Sequence, residues 1–419
     1  MKKAELLAPA GNIEKMEMAF HYGADAVFLG GKMFNLRAGS NNFSDEELTK
    51  TVEYAHSLGK KVYVTLNVIP HNEELDELPE YVRFLESIKV DGVIVADLGV
   101  FQIVKDNSNL RISVSTQASN TNWRSVKMWR DMGAKRVVLA REISLEDIKT
   151  IREKVPDIEL EVFIHGAMCM SISGRCLLSN YMTGRDANRG DCAQSCRWRY
   201  SLMEEKRPGE YMPVFEDEHG TFIFSSKDLC TIRMINEILD LGVDSLKIEG
   251  RMKGIYYVAN VVKTYREAID KYYAGNFSFE EKWIKELEST SHRLYTEGFY
   301  HGRPGAEAQN YNDRNSYSQT HQLVAKVIEK LSADEYVLAI RNRLEAGEVL
   351  EVVTPKHDPR KITLPKMILI GKNGHEEEVE AANPNSTVRV IIPNADMEVL
   401  DMIRKVKAEN PGAEKAEEK

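Results

Sequence analysis

Short apolar, β-prone runs recur through the N-terminal part of the chain, at 5–8, 26–30, 61–67, 92–96, 111–117, 136–140, 159–165 and 245–249. Between most of them lie stretches with polar starts and helical apolar periodicity. One opens at Ser44-Asp-Glu-Glu47 as a capping box and stops at Gly59, which specifies both ends of a helix. Gly23, Gly133 and Gly242 each stand just before a β-prone run, where a glycine ends the preceding helix. Strand and helix alternate, so the sheet is expected to be parallel. Eight repeats predict an α/β fold of the TIM-like (β/α)8 barrel type. A doubly wound sheet is the competing arrangement. Its first strand-turn, Leu7-Ala-Pro-Ala-Gly11, carries no GxGxxG or GxxxxGK[ST], so nothing there cradles a nucleotide phosphate.

The alternation breaks twice. Between the seventh and eighth strands an insertion over 166–244 replaces an ordinary βα unit, and so long a segment is more often functional than connecting. After the eighth strand, 255–273 and 279–295 read as helices. Residues 296–321 form a polar linker rich in Gly, Asn and Tyr, and short alternating strands without helices fill 322–405. The expected organisation is a catalytic barrel domain over 1–295, the linker, a small barrel-like all-β domain over 322–405, and a charged, disordered tail over 406–419.

Composition narrows the function. With 42% apolar and 29% charged residues in 419, the chain has an ordinary globular balance. No apolar run approaches the roughly 20 residues of a membrane span, and the first ten residues lack a signal-peptide core. A cytoplasmic protein without a membrane partner is expected. The net charge of −9 argues against indiscriminate nucleic-acid binding and leaves local basic patches open.

All five cysteines fall in the insertion. Cys169, Cys176, Cys192 and Cys196 lie within 28 residues and Cys230 follows. Too few and too odd in number for a disulfide scaffold, they supply enough thiolates for a soft metal or an iron–sulfur cluster from one segment. The spacing lacks the paired CxxC knuckles of structural zinc. Two alternatives are ordinary buried cysteines and a lone catalytic thiol, Cys169 or Cys176, beside His165.

Barrel enzymes build their sites from residues just past each strand's C-terminus. Here these are Arg37, Asn67, Asp97, Gln117, Arg141 with Glu142, His165, and Glu249 with Arg251. The catalytic candidates are His165, Glu249, Arg251, Asn67, Gln117 and Arg141, with His165 and Glu249 as acid and base. Arg37, Arg141 and Arg251 suit the carboxylates of a small anionic metabolite.

Glu161-x-Phe163-x2-Gly166-Ala-Met-Cys169-x4-Gly174-x-Cys176-x-Leu178-Ser179 resembles the signature of peptidase family U32, the collagenase-like protease family. Arg185-Asp-Ala-Asn-Arg-Gly-Asp-Cys192-Ala-Gln-Ser-Cys196-Arg-Trp-Arg-Tyr200, Ser245-Leu-Lys-Ile-Glu-Gly-Arg251 and Glu5-Leu-Leu-Ala-Pro-Ala-Gly11 resemble further blocks of it in order. The family name implies proteolysis, yet the chain has neither HExxH nor GxSxG. The branch it resembles implies oxygen-independent 5-hydroxylation of the wobble uridine of tRNA by an iron–sulfur enzyme that depends on prephenate. The same resemblance implies a 4Fe-4S cluster on Cys169, Cys176, Cys192 and Cys230, with Cys196 as the competitor for the fourth place. A partner protein of the same family is a further implication. Between Arg175 and Arg207, seven basic residues against four acidic ones include Arg185, Arg189, Arg197 and Arg199. With Tyr181, Trp198 and Tyr200 interleaved, they suit RNA phosphates and stacked bases. The alternatives are an endopeptidase acting on protein and a metal-stabilised RNA-binding scaffold.

Overall fold

A computed structural model describes residues 3–34, 42–169, 171–176, 178–189, 191–197, 215–217, 220–222, 227–304, 317–371 and 374–407. The chain divides into two compact units, Met1–Trp283 with His292–Tyr317, and Ile284–Ser291 with Ser318–Lys419.

The first unit is a closed parallel barrel. Its strands are β1 Glu5–Pro9, β2 Ala26–Leu29, β3 Lys61–Leu66, β4 Gly92–Val95, β5 Ile112–Val114, β6 Arg136–Val138, β7 Glu159–Ala167 and β8 Ser245–Ile248. Each pairs with the next through the first seven, and β8 closes the ring against both β7 and β1. Near-continuous apolar sequence suits strands covered on both faces. The helices between them are α1 Ile13–His21, α2 Asp45–Ser57, α3 Leu78–Ser87, α4 Leu98–Asn107, α5 Trp123–Met132 and α6 Leu145–Lys154. Ser44 and Glu47 form the capping box of α2. Asp97, a rim candidate by position, is instead the N-cap of α4, its Oδ1 accepting from the Gly99 and Val100 amides at 2.8 and 3.1 Å.

Inside the barrel, Leu7, Ala26, Phe28, Tyr63 and Ile94 pack together. Towards the N-terminal ends of the strands the filling is ionic. Arg136 pairs with Glu5, Glu159 and Glu161, and Glu161 also holds Lys247. Conserving order at this end stabilises a barrel, whereas chemistry gathers at the other end.

The expected insertion is present. It leaves β7, turns through Ile172–Gly174, α7 Leu178–Thr183, Ala187–Arg189 and Ser195–Arg197, and returns as the short strand Asp228–Cys230. That strand runs antiparallel to the end of β7, pairing Leu229 with Gly166 and Cys230 with His165. The buried Asp228–Arg293 ion pair anchors it at 2.8 Å. α8 Ile235–Asp240 then resumes the barrel pattern before β8, and α9 Ile255–Tyr273 follows it.

The second unit is an antiparallel all-β sheet of eight strands with the core Val324, Tyr336, Leu338, Val352, Val388 and Ile403. Its ladder runs from edge strand His357–Thr363 to edge strand Glu376–Val379, with no closing pair among the described residues. No helix among them is long and apolar enough to cross a membrane. Residues 408–419 of the expected tail lie outside the described residues.

Candidate active site at the barrel mouth

Asn67 follows β3 and Gln117 follows β5, with β4 between them. Their side chains nevertheless meet, Asn67 Nδ2 donating to Gln117 Oε1 at 2.8 Å, so the bond crosses the interior of the mouth. Alternate strands supply one layer of a barrel's filling, which accounts for the pairing. At the ends of β6 and β8, Arg141 and Glu249 stand 3.6 Å apart, both largely buried. The Arg141 guanidinium lies 3.9 Å over the Phe163 ring and donates to the Ala167 carbonyl at 3.1 Å. Gly166, at φ +112°, lets β7 approach here: a Cβ would lie 2.5 Å from the Glu249 carbonyl.

The cysteine segment is pinned to loops on different sides of this mouth. The Ser173 amide donates to Glu142 after β6 at 2.9 Å, and the Ile69 amide after β3 donates to the Asn188 carbonyl at 3.4 Å. Within the segment, Ser179 Oγ accepts from the Ala193 amide at 2.9 Å, and Asn188 Nδ2 donates to the Cys176 carbonyl at 3.1 Å. These bonds bring the Cys176 and Cys192 turns together. Each of four thiols accepts the amide N–H two residues further on. Leu178 donates to Cys176 Sγ at 3.3 Å and Gln194 to Cys192 Sγ at 3.4 Å; Ser171 serves Cys169 and Ile232 serves Cys230. Burial pushes the Cys169 thiol up, against the Ser171 amide and Arg141, and the charges of Cys176 and Cys192 push it further. Cys196 lies half-buried in the turn Ser195–Arg197. Among the described residues, no three His, Cys, Asp or Glu side chains stand together as ligands for a single metal ion.

His165 departs from its expected place. The pairing of β7 with β8 shifts between Lys247 and Ile248, so Lys247 faces Phe163 and Ile248 faces His165. Such a bulge re-aims the side chain. The imidazole is buried among Tyr257, Tyr265 and Tyr295, at ring separations of 5.9, 5.6 and 5.4 Å. Tyr257 and Tyr265 belong to α9, so His165 stands in the layer between sheet and helix. Burial pulls its pKa down to about 3, so it resists taking a proton and makes a weak base. Cys230, its cross-strand neighbour, is buried too, its thiol pushed up to about 11. Tyr265 Oη lies 3.8 Å from its sulfur.

The remaining candidates divide. Arg251 is at the mouth, donating to Asn42 Oδ1 at 2.8 Å while its carbonyl accepts from Lys15 Nζ at 3.2 Å. Arg185 is paired with Asp191 at 2.6 Å, both half exposed. Its charge is therefore already matched within the loop. Arg37, Arg199, Trp198 and Tyr200 lie outside the described residues, as do the side chains of Arg189, Arg197 and Tyr181. Sequence reasoning missed Phe163 as the surface beneath Arg141, although it stands in the cysteine motif. It also missed Tyr257 and Tyr265, whose helical spacing marks only the buried face of α9.

The sequence model described as peptidase family U32 matches residues 11–310, and that of the peptidase family U32 C-terminal domain matches 319–404. The chain belongs to peptidase family U32. Among U32 relatives, "tRNA hydroxylation protein P1" of Bacillus subtilis (strain 168) is 44% identical over 359 residues, 85% of this chain and 84% of that protein. "tRNA hydroxylation protein P" of Escherichia coli (strain K12) is 40% identical over 396 residues, 85% and 87% of the two chains. "23S rRNA 5-hydroxycytidine C2501 synthase" of the same organism is 33% identical over 362 residues, covering 84% of this chain and 52% of that protein.

Proposed function

We propose that this protein is an RNA-modifying iron–sulfur enzyme that hydroxylates C5 of the wobble uridine of tRNA in the cytoplasm, independently of oxygen and with prephenate as a required metabolite. The observation that carries the proposal is the pinning of three cysteine turns over a polar barrel mouth. The names of the U32 relatives supply the substrate class: two are tRNA hydroxylation proteins and one a synthase of 5-hydroxycytidine in ribosomal RNA.

Cys169, Cys176, Cys192 and Cys230 would hold a 4Fe-4S cluster. Amide N–H groups directed at sulfur favour thiolates and tune such centres. A cluster would need four thiolates from this segment, not the close grouping that a single metal ion requires. Bound there, it supplies one-electron transfer beside the mouth. The net change replaces C5–H by C5–OH; with water as the oxygen source it releases two protons and two electrons, and an external electron acceptor takes up the electrons. Glu249 would take the C5 proton, and Arg141, 3.6 Å away, would compensate its charge. Arg141 and Arg251 are the cations for the carboxylates of prephenate.

Mass spectrometry of tRNA nucleosides from a deletion strain tests this. The 5-hydroxyuridine family should be absent, restored by the wild-type gene and not by Cys169→Ala. Unaltered nucleosides in the deletion strain would refute the proposal.

A further inference from the structure

The polar groups on the two sides of the barrel mouth are satisfied unequally. On the β6 and β8 side, Arg141 faces Glu249 and bonds the Ala167 carbonyl. On the β3 and β5 side, Asn67 Oδ1 is enclosed and has no hydrogen-bond partner, although Nδ2 of the same amide donates to Gln117. Ser113 Oγ on β5 and both amide atoms of Asn120 are likewise enclosed and unpartnered. Gln117 and Asn120 are 4% and 0% exposed. Enclosed polar atoms without partners are rare, because each has lost its bonds to water without replacement.

We infer that Asn67 and Gln117 read the imide edge of a uracil ring held in the barrel mouth, with Asn67 Oδ1 accepting the N3–H. The inference rests on the RNA-modifying function proposed above and adds the residues that choose the base. Gln117 Oε1 fixes the Asn67 amide so that its donor is used and its acceptor is left over. Uracil offers a donor at N3. Cytosine offers a lone pair there, which would oppose the Asn67 oxygen. With N3 on the amide side, the C5–C6 edge of the ring points across the mouth, towards Arg141 and Glu249. The Phe163 ring, with the guanidinium 3.9 Å from its centre, bounds that side.

The test measures equilibrium binding of two synthetic anticodon stem-loop RNAs, identical except for U or C at the wobble position, to the full-length protein. The wild type should prefer U by at least about tenfold, the scale of one well-placed base-edge contact. The double variant Asn67→Leu/Gln117→Met removes both amides together, a change of similar shape that leaves stability equal or higher. It should bind the two RNAs within about twofold, with an unchanged or raised melting temperature. Asn67→Asp keeps an acceptor, to which the Gln117 amide can turn and donate, and should keep the preference. Equal binding of both RNAs by the wild type, or a preference retained by the double variant, would overturn the inference and leave RNA modification standing. A wild type that binds neither RNA at low salt would overturn both.

Discussion

Replacing Glu161 by Leu removes one carboxylate from the N-terminal end of the barrel and leaves two cations behind. Glu161 is 1% exposed and receives Lys247 Nζ at 2.8 Å and Arg136 Nη1 at 2.9 Å. Arg136 keeps Glu5 and Glu159, each at 2.8 Å. Lys247 keeps no other carboxylate among the described residues, only the Phe28 and Phe163 rings at 4.4 and 5.5 Å. Breaking a buried pair from one side costs about 3–5 kcal/mol, because an uncompensated charge stays inside. At about 2–4 °C per kcal/mol, the barrel's melting temperature should fall by roughly 6–20 °C. Lys61→Ala, which removes an ammonium half exposed beside Glu5, should cost less than about 1 kcal/mol. In Glu161→Leu/Lys247→Met both charges go together, and most of the loss should return. The sequence of the β unit, Ile284–Ser291 with Ser318–Lys419, contains no tryptophan, and Trp123, Trp129 and Trp283 stand in the barrel unit, so tryptophan fluorescence follows the barrel's unfolding apart from that of the β unit. A double variant as unstable as Glu161→Leu alone, or a single variant within about 1 kcal/mol of wild type, would refute this account of the ionic end.

Protein purified without oxygen should carry about four irons per chain and lose them in Cys169→Ala, Cys176→Ala or Cys192→Ala; full iron in all three removes the cluster. Cys230→Ala should lose iron where Cys196→Ala keeps it, measured by the same iron assay. In the β unit, the Glu351 carboxyl is held at about 2, below the usual 4.5, chiefly by the His321 hydrogen bond and also by Arg404. Its folded pKa is depressed, so its stabilisation is complete above about pH 4.5 and is lost as pH falls towards 2. Hydrogen exchange in Val349–Thr354 and Met402–Val406 should show that loss in the full chain, and Glu351→Gln should flatten it. Purified protein should not cleave gelatin or casein, and cleavage abolished by Cys169→Ser would reverse that expectation.

The barrel was legible because parallel strands buried on both faces leave apolar runs that survive without tertiary information, as at 61–67 and 92–96. The insertion was legible from its length and cysteines. The direction of His165 was not. Simple alternation from Glu161 and Phe163 puts it inside the barrel, and one register shift opposite Ile248 turns it towards α9. Asp97 gave a similar false signal, since a capping carboxylate and a catalytic one occupy the same position after a strand. The Asn67–Gln117 bond joins residues 50 apart on strands that do not touch, a relation that only the closed ring creates. The placing of Ile284–Ser291 with the β unit also depends on long-range contacts, which no local composition shift marks.

Peptide cleavage by a cysteine needs an imidazole that can take the thiol proton, held in turn by a third group. His165 is the nearest histidine in sequence to Cys169, but burial makes it resist protonation, three tyrosines enclose it, and Tyr265 Oη lies 3.4 Å from its Nδ1. Tyr265 gives its own proton to the Ile164 carbonyl at 2.8 Å, so the pair makes no relay towards the mouth. The groups that act on Cys169 are of another kind: a backbone amide, the Arg141 guanidinium and two further thiols. An amide and a cation stabilise charge on sulfur without accepting its proton. A backbone amide meets the sulfur of Cys169, Cys176, Cys192 and Cys230 alike, a repetition for which a lone nucleophile would have no use.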